Sequence, residues 1–199
     1  MKRQGSALQK SIRKDAPFGQ NTTMAILQKK KLPLLEVAPF DNFRTMLTLA
    51  REEAGDSIAV KYKEKGAVRS ITYGELASNV DALGTALSTL EEGLSAVAVI
   101  GDNSYRYITV LMTALSSNGV VIPIDKELPF AEIANILNHS GCTTVFFDKT
   151  FLESFTENAK ALTTVKNMVC FQLKDHEATE KVLSYNALLE LGQEALQEG

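Results

Sequence analysis

Ser95–Asp125 reads SAVAVIGDNSYRYITVLMTALSSNGVVIPID. Ala96–Ile100 is a short continuous apolar run rich in β-branched residues, the pattern of a strand buried on both faces. Gly101-Asp102-Asn103-Ser104 interrupts it with turn and N-cap chemistry. Ile108, Leu111, Met112 and Leu115 then recur at i, i+3, i+4, i+7, which predicts a helix with those residues facing the core. Asn118-Gly119 predicts an αL cap, and Val120–Ile124 a second buried strand. Strand, helix, strand with one crossover is a βαβ unit, so the two strands are expected to be parallel and the crossover right-handed.

Downstream the pattern repeats. Pro129 suits a first helical turn, Phe130, Ile133, Ala134 and Leu137 form a buried stripe, and Gly141 stops the helix. Thr143–Phe147 predicts a third strand. Leu152, Phe155, Ala159 and Leu162 predict a further helix, and Asn167–Leu173 a fourth strand. Lys174–Thr179 is a polar loop. Ser184 caps a last helix with Leu188, Leu191 and Ala195 inward. Upstream, Thr72-Tyr73-Gly74-Glu75 is a capping box ahead of Leu76, Val80, Leu83, Leu87 and Leu90 on one face. Ser57–Lys63 and Ala67–Thr72 alternate around Lys65-Gly66, a β-hairpin whose half-polar strands belong at a sheet edge or in a separate small sheet. Asp41 is the expected cap of a helix bearing Phe43, Met46, Leu47 and Ala50, ended by Gly55. The fold class is therefore α/β, a mostly parallel sheet with helices on both faces, plus an N-terminal β-hairpin.

The 199 residues are 45% hydrophobic, enough for one core. A net charge of −3 argues for neither nucleic acid nor a membrane surface as partner. No apolar run approaches the length of about 18 residues that spans a bilayer, and no secretory h-region follows the N-terminal charges. Residues 1–35 carry eight basic side chains, from Lys2 to Lys31, against Asp15 alone. They read as a basic, mobile tail rather than a targeting or nucleic-acid arm. Cys142 and Cys170 stand far apart in strand-like runs, as expected of reduced buried thiols in a cytoplasmic protein.

The usual nucleotide and hydrolase motifs are missing. No GxG, GxxxxGKS, GxxxxGKT or GxSxG occurs, and two histidines cannot make a three-His zinc site. His139 reads as a helix-end cap and His176 as part of a solvated loop. In a parallel sheet, ligands bind beyond the carboxyl ends of the strands. Gly101–Ser104, Pro123–Lys126 and Asp148–Lys149 lie there, each with an acid after an apolar strand. They suit a polar rim around a crevice, or equally the caps and turns such positions need.

Two stretches carry a resemblance. ITYGEL at Ile71–Leu76 resembles the first signature of the acyl- and aryl-adenylate-forming enzymes, and LSSNGVVIPID at Leu115–Asp125 is similar to their second, at compatible spacing. ALGTAL at Ala82–Leu87, VAVIGDNSYRY at Val97–Tyr107, IPIDKELP at Ile122–Pro129 and the lead-in LLEVAPFDNFRTML look closest to bacterial long-chain fatty acid–CoA ligases. Ser116-Ser117-Asn118 departs from the Lys-Ala that many relatives carry before the Gly, a change at a helix end.

The resemblance covers residues 34–199 and implies a tail at 1–35 followed by an N-terminal α/β subdomain at 36–199, truncated before the nucleotide-binding and C-terminal domains. It implies that a fatty acid attacks the α-phosphate of ATP with Mg²⁺, and that CoA then displaces AMP. ATP, Mg²⁺ and CoA would serve the full-length enzyme, none bound tightly here. The rest of the same polypeptide would be a packing partner, and a homodimer is left open. The family's catalytic segments are a Ser/Thr/Gly-rich loop, an aromatic-Glu motif, a ribose-binding Asp and a C-terminal Lys. They have no counterpart here, so no catalytic residue and no metal ligand is assigned, and the cofactor-binding residues are unknown. The chain alone is expected to be inactive. A free-standing α/β binding or interaction module and an adenylation domain of a peptide synthetase remain as alternatives.

Overall fold

The computed structural model describes residues 39–64 and 66–198. The expected tail at 1–35 lies outside them. Helix α1 (Phe43–Ala54) is followed by strands β1 (Ile58–Glu64) and β2 (Ala67–Thr72), helix α2 (Tyr73–Thr89), β3 (Ala96–Ile100), α3 (Tyr105–Leu115) and β4 (Val120–Ile124). Then come α4 (Phe130–His139), β5 (Thr144–Phe147), α5 (Leu152–Glu157), β6 (Asn167–Cys170), β7 (Val182–Ser184) and α6 (Tyr185–Glu198). β1 and β2 form their own antiparallel sheet. The other five strands form one parallel sheet in the order β4-β3-β5-β6-β7.

Strand alternation sends β3 side chains to both faces. Ala98 and Ile100 join Ile133, Leu137 and Phe155 from α4 and α5 on one side. Val97 and Val99 join Leu83, Val110 and Leu188 from α2, α3 and α6 on the other. A third cluster ties α1 to the hairpin and α2 through Leu47, Ile71, Leu76 and Val80. Thr72 caps α2 as expected: Glu75 N–H donates to Thr72 Oγ1 at 3.1 Å, and Thr72 N–H donates to Glu75 Oε2 at 2.7 Å.

The structure corrects several details. The cap of α1 is Asn42, not Asp41; its Oδ1 accepts Thr45 N–H at 2.9 Å. The buried face of α3 is Thr109, Val110, Thr113 and Ala114, whereas Leu111 is only half-buried. The threonine hydroxyls donate back to carbonyls one turn earlier, Thr109 to Tyr105 O at 2.9 Å and Thr113 to Thr109 O at 2.8 Å. Their polarity is thereby satisfied inside the helix, and the side chains become acceptable in the core.

Gly119 is not an αL cap, because α3 ends at Ser116 in right-handed geometry. It is required for close approach instead, since a Cβ there would lie 2.0 Å from Leu94 O. β4 is an edge strand with Val120 exposed rather than a buried one. That position also accommodates Pro123, which cannot donate to a ladder. In α6, Leu191 faces out and Gly192 faces in, where a Cβ would meet Ala82 O at 1.9 Å. The fifth strand, β7, was not expected. Three residues are too few to show a period.

Candidate functional site at the carboxyl ends of the strands

The chain runs from β3 to β4 on one side, then crosses over β3 to reach β5 on the other. The connections leaving β3 and β5 therefore diverge, and a crevice for a ligand is expected between their carboxyl ends. The structure brings Gly101–Ser104 and Asp148 together at that point. Asp148 is buried; its Oδ2 accepts Asp102 N–H at 2.6 Å, and its Oδ1 accepts Gln172 Nε2 at 2.5 Å. Gly101 has φ +154°, and a Cβ on it would sit 2.5 Å from Asp148 Oδ2. Glycine is needed here for the carboxylate to enter the gap.

The network continues along the rim. Gln172 Oε1 accepts Lys149 N–H at 2.7 Å, and Lys149 Nζ reaches Glu177 Oε2 at 2.9 Å. Lys126, beyond β4, pairs with Asp102 Oδ1 at 2.6 Å. At β7, Ser184 Oγ donates to Leu173 O and to Asp175 Oδ1. The hydrogen bond that Lys126 donates to Asp102 raises the Lys126 pKa, and the hydrogen bond from Lys149 holds Glu177 below the usual carboxylate range. Both pairs are exposed, so they contribute little.

The three predicted strand-end segments thus share one rim, with Asp102 joining the first to the other two. His139 ends α4 on the surface, and His176 sits in a 3₁₀ turn at Asp175–Glu177. Neither joins the rim network. Among the described residues, no three His, Cys, Asp or Glu side chains converge to hold a metal ion. Cys142 and Cys170 are buried and unbridged; burial pushes the Cys142 thiol up to about 11 and raises Cys170 as well. Gln172 and Glu177 were missed as rim residues. The available signal was the single polar residue in Cys170-Phe171-Gln172-Leu173, which sits where the strand leaves the core.

Chemically, this rim holds paired ions and an internal carboxylate clamp. Its lysines are engaged, and carboxylates outnumber them.

These features define an α/β domain of the open parallel-sheet class, with a hydrogen-bonded and ion-paired rim at the strand ends. The AMP-binding enzyme family matches residues 48–195, and the chain belongs to that family. A 3-methylmercaptopropionyl-CoA ligase of Ruegeria lacuscaerulensis is 28% identical over 144 residues, 69% of this chain and 26% of that protein. The chain thus spans about a quarter of the length of the curated relatives it matches. Among solved structures, coronafacic acid ligase from Pectobacterium brasiliense superimposes with a TM-score of 0.66 at 16% identity, over 75% of this chain and 29% of that one. The A-PCP didomain of a carboxylic acid reductase from Segniliparus rugosus, in complex with AMP, gives 0.65 at 14% identity, over 79% and 27%. At such identities these two show the shared fold. No helix among the described residues is long and apolar enough to cross a membrane.

Proposed function

We propose that this chain is the N-terminal subdomain, residues 36–199, of an AMP-forming acid–CoA ligase acting on long-chain fatty acids in the bacterial cytoplasm. One observation carries this reading: both signatures fall at structural junctions. ITYGEL caps and opens α2, and LSSNGVVIPID closes α3 and forms β4. The full-length enzyme would bind ATP, CoA and Mg²⁺. ATP supplies the α-phosphate that a fatty carboxylate attacks; the CoA thiol then releases AMP. The catalytic segments that the family resemblance implies have no counterpart in this sequence. No step is therefore assigned to this chain's own side chains. Their part is to hold the strand-end loops against which the nucleotide-binding segments pack. Transition-state charge in adenylation needs aligned donors and a cation, and these would come from the remaining three quarters of the protein.

The long-chain reading is carried by the resemblance of ALGTAL, VAVIGDNSYRY and IPIDKELP to long-chain ligases, whereas the matched relatives are named for a short thioether acid; the ALGTAL and DKELP runs favour the acyl-CoA branch over a peptide-synthetase adenylation domain. A second reading, an adenylation domain loading a carrier-protein thiol, is favoured by the likeness to the carboxylic acid reductase didomain.

The test pairs this chain with a protein extended through the downstream reading frame. Both are assayed for acid-dependent pyrophosphate release with acids from 3-methylmercaptopropionate to long-chain fatty acids, and with CoA or a carrier protein as acceptor. Activity of the long protein alone, best with long acids and CoA, is the expected result. Turnover by the 199 residues would refute the fragment reading. Inactivity of both, or a stop codon after Gly199, would favour a free-standing binding module.

A further inference from the structure

At the other end of the sheet the polar groups are arranged differently. We propose that the groove between α1, α2 and the end of α3 is a binding site for a small hydroxylated oxyanion, such as a phosphate or carboxylate carried on a polyol. It lies beside Ser95 and Gly119, at the amino ends of β3 and β4, and so at the opposite end from Asp148. Three adjoining hollows of about 470, 510 and 160 Å³ meet there, and Arg44 and Ser116 line all three.

Four features point to a ligand. Ser116 Oγ is buried and has no hydrogen-bond partner among the described residues. A buried hydroxyl left in that state is costly, so the site asks for a polar occupant. Arg44 Nε donates to Ser116 O at 3.3 Å, but the guanidinium has no carboxylate partner among the described residues, so its other N–H groups can face an oxyanion.

The α2 wall supplies the complement. Thr85 Oγ1 donates to Asp81 O at 2.9 Å, and Ser88 Oγ donates to Thr85 O at 2.6 Å. With their hydrogens directed into the helix, these oxygens present lone pairs to the groove. Asp81, held by Arg51 at 2.6 Å, extends that row at i, i+4, i+7 spacing. Hydroxyl donors on a ligand would meet this row while its anionic end meets Arg44 and Ser116.

Gly84 is the fourth feature. Glycine inside a helix is less stable than alanine, yet a Cβ here would meet only Thr113 Cγ2 at an ordinary 3.6 Å. Neither sterics nor a positive φ calls for it. Its effect is to keep the groove floor open.

Calorimetric titration of the whole 199-residue chain tests this, at constant ionic strength, with glycerol 3-phosphate, glycerate, inorganic phosphate and glycerol. Glycerol 3-phosphate or glycerate should bind at least tenfold tighter than phosphate or glycerol, and which of the two binds identifies the head group. Arg44→Met should weaken that binding at least tenfold. Ser116→Ala and Gly84→Ala should weaken it while holding or raising the unliganded Tm, which separates loss of the site from loss of the fold. The proposal is overturned if none of the four binds, if inorganic phosphate binds as tightly as the hydroxylated anions, or if Arg44→Met and Ser116→Ala bind as the parent chain does.

Discussion

The two ends of one parallel sheet handle their polar groups in opposite ways. At the carboxyl end, where open α/β folds place ligands, a buried carboxylate occupies the switch point and links the loops after β3, β5 and β6. At the amino end, hollows meet at a buried serine hydroxyl and an arginine that have, respectively, no hydrogen-bond partner and no acidic partner among the described residues. The side where ligands are expected is thus locked in this chain, and the other is open. A fold predicts where a crevice forms. Whether it is filled from within depends on side chains that the fold does not specify.

The sharpest way to break the comparison is Asp148→Ala. It leaves Asp102 N–H and the Gln172 amide without their acceptor. Denaturant unfolding should show a loss of about 2–3 kcal/mol, because two part-buried hydrogen bonds to a buried carboxylate are lost, each worth on the order of 1–1.5 kcal/mol where the donor can turn to water. A midpoint equal to that of the parent would mean that the carboxyl end is not clamped.

Helix α3 spans both ends, with Ser104 capping it at one and Ser116 closing it at the other, so its phase matters to both. Val110→Ala should cost about 2 kcal/mol and Leu111→Ala less than half as much, since only Val110 is fully enclosed. Equal losses in urea melts, or the reverse order, would place the core face elsewhere.

The thiols extend the comparison to pH. Cys142 precedes β5 at the amino end, and Cys170 closes β6 at the carboxyl end. Desolvation raises both, Cys142 to about 11. With the folded pKa above the unfolded value, the stability contribution is present below about pH 9 and is lost as pH rises towards 11. For Cys142 the loss is on the order of 2–3 kcal/mol, and Cys142→Ala should flatten it in melts across that window. An unchanged alkaline slope would show that the thiol is not desolvated.

The smallest effect is expected at the exposed pairs. Lys126→Met removes the partner of Asp102 at the surface of the carboxyl end and should leave Tm unchanged within error. A clear drop would make that pair part of the clamp.

Among the corrections, α3 is the instructive one. Counting apolar residues pointed to Leu111 and Leu115, yet two threonines face the core because their hydroxyls close onto their own helix. Periodicity ranks side chains by polarity and cannot see that a hydroxyl has found a local acceptor. Gly119 likewise reads as punctuation, but it and Gly192 each mark a carbonyl of a distant segment closer than any Cβ allows.

Local chemistry in the sequence determined the βα alternation, the capping box at Thr72 and Glu75, the β-hairpin and the two signatures, because short-range hydrogen bonds and hydrophobic period are written within a few residues of one another. The strand order, the three-residue β7, the exposure of β4, the Asp148–Gln172 clamp and the groove at Arg44 came only from the tertiary structure. Each depends on contacts between residues far apart in the chain, from 14 positions for β6 with β7 to 72 for Arg44 with Ser116, and nothing in the residues between them records which atoms will meet.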